Sequence, residues 1–124
     1  MYPTTNHQFI AIKAALDMKL SRFKHGAIIY DKNGKVLSVG RNIPHYRPGL
    51  KKYGYKNLLL HAESDAILKC NPEDLKGSNL LVIRTGKNKL CNSKPCEHCL
   101  SMILQCGIKH VYYSNVDGKI ERLF

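Results

Sequence analysis

The chain has 124 residues, of which 44% are hydrophobic and 23% charged, a composition typical of a globular protein with a buried core. This length predicts a single domain over residues 1–124, and the composition excludes collagen, coiled-coil and low-complexity classes. Lys and Arg total 20 against 9 Asp and Glu, a formal net charge of +11, so we expect anionic partners. No apolar stretch reaches the ~20 residues of a membrane span and no signal-peptide pattern is present, which predicts a cytoplasmic protein without a membrane partner.

The first third of the chain predicts a helix followed by a β-hairpin. Residues 5–8 have the pattern of a capping box. Behind them, five large apolar residues recur at helical spacing: Phe9, Ile12, Leu16, Leu20 and Phe23. This stripe predicts an amphipathic helix that packs on a sheet. The β-rich runs 26–30 and 36–39 flank a turn ending in Asn33-Gly34, and are therefore expected to pair as antiparallel strands.

The remaining chain predicts alternating helices and strands. After a long loop at 41–60, the expected elements are a helix at 61–70, a buried strand at 79–85, a helix at 96–106, a strand at 108–114 and a short element within 118–124. Right-handed crossovers make the later strands parallel. The predicted fold class is α/β, a three-layer α/β/α domain with a mixed sheet of four to five strands. The helix starts at His61 and Cys96 then lie at one edge of that sheet, where such folds bind ligands.

These two helix starts carry short motifs. His61-Ala62-Glu63 alone is a weak signal, and so is the pair Cys96-x-x-Cys99, which also occurs in redox dithiols. With Cys91, the same pair has the spacing of a plant-type iron–sulfur site. Neither alternative accounts for His61 and Glu63. Together, His-x-Glu and Pro-Cys-x-x-Cys have the pattern of zinc deaminases that act on nucleobases.

The residue types suit that chemistry. A catalytic zinc takes three protein ligands and leaves one position for water, so His61, Cys96 and Cys99 are the predicted ligands of about one zinc per chain. The positive end of the helix dipole favours the two thiolates. Glu63 is the predicted catalytic acid and base, which moves protons between the attacking water, the ring nitrogen N3 and the departing ammonia. A structural site would use four protein ligands, which disfavours the alternative of a non-catalytic, zinc-stabilised nucleic-acid-binding module.

The chain resembles the cytidine deaminase superfamily, on the deoxycytidylate deaminase side. The resembling segments are Gly26-Ala27-Ile28-Ile29, Gly40-Arg41-Asn42, His61-Ala62-Glu63 with Ala66-Ile67, Pro95-Cys96-Glu97-His98-Cys99, and Gly107-Ile108-Lys109-His110-Val111-Tyr112. The resemblance implies a cytidine deaminase-like fold and zinc-dependent hydrolytic deamination of a cytosine nucleoside or nucleotide, of CMP or dCMP type, to the uracil product and ammonia. It also implies a homo-oligomer, with substrate contacts at Asn42, at the backbone of Ala62 and at the backbone just before Pro95-Cys96.

Three features depart from parts of this superfamily. Lys94 and His98 stand where the tRNA adenosine deaminases usually have an acidic residue and a methionine, which favours cytosine over adenosine. The connection at 86–94 is longer than is common in the family, and the role of Cys91 within it stays open.

A basic segment precedes the first motif. Residues 41–56 contain five cations and three tyrosines without an acidic residue. The predicted phosphate contacts in it are Arg41, Arg47, Lys51 and Lys52. Such a segment suits either a single strand, whose bases stack on tyrosine, or the phosphate of a mononucleotide. We favour a small-molecule nucleotide substrate, and keep a deaminase of bases within single-stranded DNA or RNA, tRNA included, as the alternative.

Overall fold

The computed structural model describes residues 1–17, 24–42, 61–86 and 89–124. These ranges form four helices and six strands. In chain order they are α1 (Thr5–Leu16), β1 (Lys24–Tyr30), β2 (Val36–Arg41), α2 (Ala62–Lys69), α3 (Pro72–Leu75), β3 (Asn79–Gly86), β4 (Lys89–Cys91), α4 (Glu97–Gln105), β5 (His110–Ser114) and β6 (Ile120–Arg122). The predicted alternation is confirmed, with the unpredicted one-turn helix α3 added after the capping residue Asn71.

All six strands belong to one mixed sheet, with the order β2-β1-β3-β5-β6 and with β4 paired to β3. β1 is antiparallel to β2, as the hairpin predicts, while β3 and β5 are parallel, as the crossover predicts. The sheet has one strand more than the expected four to five, because the stretch read as a connection at 86–94 contains β4. The three residues of β4 fold back on the end of β3, where Cys91 pairs with Arg84.

Helices cover both faces of the sheet. On one face, α1 packs against a cluster that includes Ile28, Leu81 and Ile83. On the other face, α2 and α4 contribute to a larger cluster with Val82 and Val111. Successive strand residues alternate between these clusters, so the predicted three-layer arrangement is confirmed. Within the described ranges, no helix is both long and apolar enough to cross a membrane.

The predicted contact face of α1 is wrong in part, since Ile12 packs against the cluster on this face of the sheet but the other described members of the predicted stripe do not. Phe9 and Leu16 are 63% and 56% exposed, and Leu20 and Phe23 lie outside the described residues. The buried face consists of small residues and one histidine: His7, Ala11, Ala14 and Ala15. Gly26 explains the choice, because a Cβ at that position would overlap the carbonyl oxygen of Ala11. The helix lies too close to β1 for large side chains to fit between them. Its cap is Thr4, one residue before the predicted capping box.

Candidate active site and metal centre

The starts of α2 and α4 meet at the sheet edge where β2, β3 and β5 end. His61 is the N-cap residue of α2, and Cys96 is the N-cap residue of α4, as the motifs predict. Gly40 in β2 lets α2 approach, because a Cβ there would overlap backbone atoms of Ala62 and Ala66. The two motifs are therefore brought together by the close packing of helices on the sheet.

A buried carboxylate fixes the start of α2 relative to the end of β2. Asp65 accepts a hydrogen bond from the backbone N–H of Arg41 at 3.1 Å and forms an ion pair with Lys69 at 2.8 Å. The Ser38 hydroxyl donates to the carbonyl oxygen of Ala66 at 2.7 Å. Since a buried carboxylate is costly without such partners, these contacts hold one register between strand and helix.

The three predicted metal ligands converge. The Nδ1 atom of His61 lies 3.2 Å from the Sγ atom of Cys99 and 3.6 Å from that of Cys96. Zn–N and Zn–S bonds in a tetrahedral site place nitrogen and sulfur ~3.6 Å apart, so the spacing fits zinc. All three donor atoms lie within 4.8 Å of one another, and among the described residues this is the one group of three or more His, Cys, Asp or Glu side chains that could hold a metal ion.

The electrostatics of the cysteines suit metal binding. Hydrogen bonds from Cys99 and His61 lower the pKa of Cys96 to about 3 despite partial burial, so this thiol is present as the thiolate that zinc requires. Cys91 lies on β4 and is not part of the ligand group. Cys70 is buried, and Cys106 packs against the α2–α4 core, as expected for structural thiols.

Glu63 lies in the first turn of α2 with 5% of its surface exposed. Burial raises the pKa of its carboxyl group, while a hydrogen bond with Cys99 and the charge of His61 act in the opposite direction. A raised pKa favours the protonated form of the carboxyl group, the form that can deliver a proton. This is the behaviour that the predicted acid and base role needs.

A cavity of about 320 Å³ opens beside these groups. His61, Glu63 and Cys96 line it, together with the two predicted substrate contacts Asn42 and Ala62. The side-chain oxygen of Asn42 accepts a hydrogen bond from the backbone N–H of His25 at 2.9 Å, which fixes the orientation of the amide. The cavity therefore joins two of the three candidate metal ligands, the candidate acid and base, and Asn42 in one space.

Three further residues line the cavity: His25, which the sequence patterns did not single out, and Ser93 and Lys94, which lie just before the Pro-Cys pair, where the family resemblance implies a backbone contact to the base. Burial, with smaller effects from the charges of Arg84 and His61, lowers the pKa of His25 to about 4. The available signals were positional, since His25 directly precedes Gly26-Ala27, and Ser93 and Lys94 directly precede Pro95-Cys96.

The predicted phosphate contacts are not assembled at the cavity in the described part of the chain. Arg41 lies at the end of β2, where its backbone binds Asp65, and its side chain is absent from the described cavity lining. Arg47, Lys51 and Lys52 fall within 43–60, outside the described residues.

Comparison with known proteins gives a consistent set of relatives. A family model for the cytidine and deoxycytidylate deaminase zinc-binding region matches residues 4–115. A deoxycytidylate deaminase of Mycobacterium phage D29 is 30% identical in an alignment that covers 84% of this chain and 88% of the relative. The human deoxycytidylate deaminase is 28% identical in an alignment that covers 84% of this chain and 60% of the human protein.

Solved structures agree with these sequence matches. The dCMP deaminase of cyanophage S-TIM5, in complex with dCMP and dUMP, is 30% identical with a TM-score of 0.65, over 94% of this chain and 85% of that one. A cytidine deaminase of Burkholderia pseudomallei, 21% identical over 96% of this chain and 91% of that one, shares the fold with a TM-score of 0.67. These matches confirm the predicted deaminase fold and the predicted zinc cofactor. The chain belongs to the cytidine and deoxycytidylate deaminase family of zinc-dependent hydrolytic enzymes.

Proposed function

We propose that this protein hydrolyses the exocyclic amino group of 2′-deoxycytidine 5′-monophosphate (dCMP), giving dUMP and ammonia. One observation carries the proposal: His61 and Cys96 of the candidate metal group, the buried Glu63 and Asn42 line one cavity, and Cys99 completes the metal group beside it. The matched phage and human relatives, which are deoxycytidylate deaminases, support this nucleotide as the substrate.

The chain supplies the proton transfers. A zinc ion held by His61, Cys96 and Cys99 would act as a Lewis acid toward water. Glu63 accepts a proton from the attacking water and delivers it to N3 of the cytosine ring, while the water oxygen bonds to C4. Glu63 then passes the second proton of the water to the amino group, the C4–N bond breaks, and ammonia leaves. Asn42 and the backbone of Ala62 orient the sugar and the base, as the family resemblance implies.

The substrate assignment is tested by a deamination screen of the zinc-loaded protein. We expect kcat/KM to be highest for dCMP among dCMP, CMP, deoxycytidine, cytidine and a cytosine-containing oligonucleotide. Turnover confined to the oligonucleotide would instead establish the strand-directed alternative. A zinc-loaded protein that turns over none of the five would be a non-catalytic module.

Glu63→Gln tests the mechanism. The amide keeps the shape of the side chain but cannot shuttle a proton, so kcat should fall by ~10²- to 10⁴-fold or more, with zinc content unchanged. As matched cysteine controls, Cys99→Ala should lose zinc, whereas Cys91→Ala, outside the ligand group, should keep zinc and activity. Deamination by Glu63→Gln at the wild-type rate would show that the proton carrier has been misassigned.

A further inference from the structure

Lys94 is the one lysine or arginine among the described residues that line the cavity. It is exposed, and it makes no ion pair with any carboxylate of the described residues. The carboxylate in the described lining is Glu63, which is buried and 5% exposed. The cavity thus combines a buried carboxyl group, that of Glu63, with the exposed ammonium group of Lys94.

The backbone that carries Lys94 is held on both sides. Ser93 is buried, its hydroxyl donates to the carbonyl oxygen of Val82 at 2.8 Å, and its N–H donates to the carbonyl oxygen of Ser114 at 2.8 Å. On the other side Pro95 is buried next to the N-cap of α4. The N–H of Lys94 itself donates to the side chain of Asn92 at 3.3 Å. A fixed backbone limits the positions from which the flexible lysine side chain extends, and so lowers the entropy cost of binding through it.

We propose that the ammonium group of Lys94 binds the 5′-phosphate of the nucleotide substrate. The inference rests on the proposed function, which places the cytosine ring beside Glu63 and Cys96. The phosphate lies at the opposite end of the nucleotide from the ring, and so extends toward the solvent side of the cavity. There it meets an ammonium group without a described carboxylate partner, and a charge-assisted contact between the two favours the nucleotide over the nucleoside.

The test compares Lys94→Ala with wild type on dCMP and on deoxycytidine, which lacks the phosphate. We expect KM for dCMP to rise ~10-fold or more with kcat changed by less than ~3-fold, because the contact is remote from the reacting atoms. For deoxycytidine, kcat/KM should change by less than ~2-fold. Lys94→Arg keeps the charge and should restore most of the preference for dCMP.

Lys109→Ala is the matched control. Lys109 is also exposed, but it precedes β5 at the opposite edge of the sheet, so its loss should leave the ratio of kcat/KM for dCMP and deoxycytidine unchanged. Inorganic phosphate is a second probe, since its inhibition constant against dCMP should rise in Lys94→Ala and not in Lys109→Ala.

Other outcomes would overturn the inference. Equal losses on dCMP and deoxycytidine would make Lys94 a residue that shapes the cavity, and unchanged kinetics would remove it from binding altogether. If wild type deaminates neither compound, the proposed function fails. The affinities of the zinc-loaded wild type and Lys94→Ala for dCMP and for deoxycytidine can then be compared by calorimetry. A loss of dCMP affinity confined to Lys94→Ala would then still support the phosphate contact.

Discussion

His25 places a titratable side chain where its charged form is unfavourable. It is the second residue of β1, lines the cavity, and has its pKa lowered to about 4 from the usual 6.5, chiefly by burial and then by the charges of Arg84 and His61. Between these two values the unfolded chain binds a proton that the folded chain does not. The free energy of unfolding therefore rises with pH across that interval and falls as the solution is acidified.

His25→Gln should remove this dependence, because glutamine is polar but does not titrate. Between about pH 7.5 and pH 5 we expect wild type to lose on the order of 2 kcal/mol more than the variant. Urea unfolding of both zinc-loaded proteins at matched pH measures the difference, and other acid-sensitive groups cancel in it. Parallel pH curves would mean that His25 keeps an ordinary pKa in the folded protein.

At the scale of secondary structure, the sequence predicted those elements whose pattern is local. The capping positions of His61 and Cys96 and the apolar run of β3 were recognisable because each depends on a few adjacent residues. The active site followed from them, since the fold class brings helix starts to one sheet edge.

The predictions failed where the structure depends on the distance between two packed elements. In α1, the predicted stripe of large apolar residues contributes only Ile12 to the core among its described members, and the stripe of small residues forms the buried face. The alanine face is selected by the close approach of α1 to Gly26, a residue of β1. β4 escaped prediction because three residues are too few to show a period, and its pairing with β3 supplies the stability.

Gly40→Ala tests the close approach of α2 to β2. The new methyl group would overlap backbone atoms of Ala62 and Ala66, which cannot move without shifting the helix start that carries His61 and Glu63. We expect a loss of ~1–3 kcal/mol or more in unfolding free energy, together with weaker zinc binding. Chemical denaturation and zinc titration provide the two readouts.

Gly77→Ala is the control for Gly40→Ala, because it introduces backbone strain without atomic overlap. Gly77 has a φ of +76° but no atom near its missing Cβ, so alanine there should cost ~1 kcal/mol through strain and leave zinc affinity unchanged. If Gly40→Ala is no more disruptive than Gly77→Ala, then β2 and α2 do not require the observed contact distance.

At the scale of the whole molecule, four cationic residues lie at the edge of the sheet that holds the cavity. β1 begins there with Lys24, β2 ends there with Arg41, and Arg84 lies near the end of β3, with Lys94 at the cavity itself. In a chain of net charge +11, this arrangement should raise the local concentration of anionic substrates.

The dependence of kcat/KM on salt concentration distinguishes a mononucleotide from a single strand as the natural substrate. Because dCMP carries one phosphate, its log kcat/KM should fall with log salt concentration at a shallow slope that corresponds to one or two contacts, whereas neutral deoxycytidine should show almost none. A single strand neutralised by several cations would lose affinity at about −0.7 per contact. Steady-state kinetics from ~50 to ~500 mM salt cover a range in which the two cases diverge by orders of magnitude. We predict the shallow slope for dCMP, with oligonucleotide turnover too weak to compete. A steep slope with efficient oligonucleotide deamination would assign the positive edge to a polynucleotide, and dCMP would then be a fragment of the natural substrate.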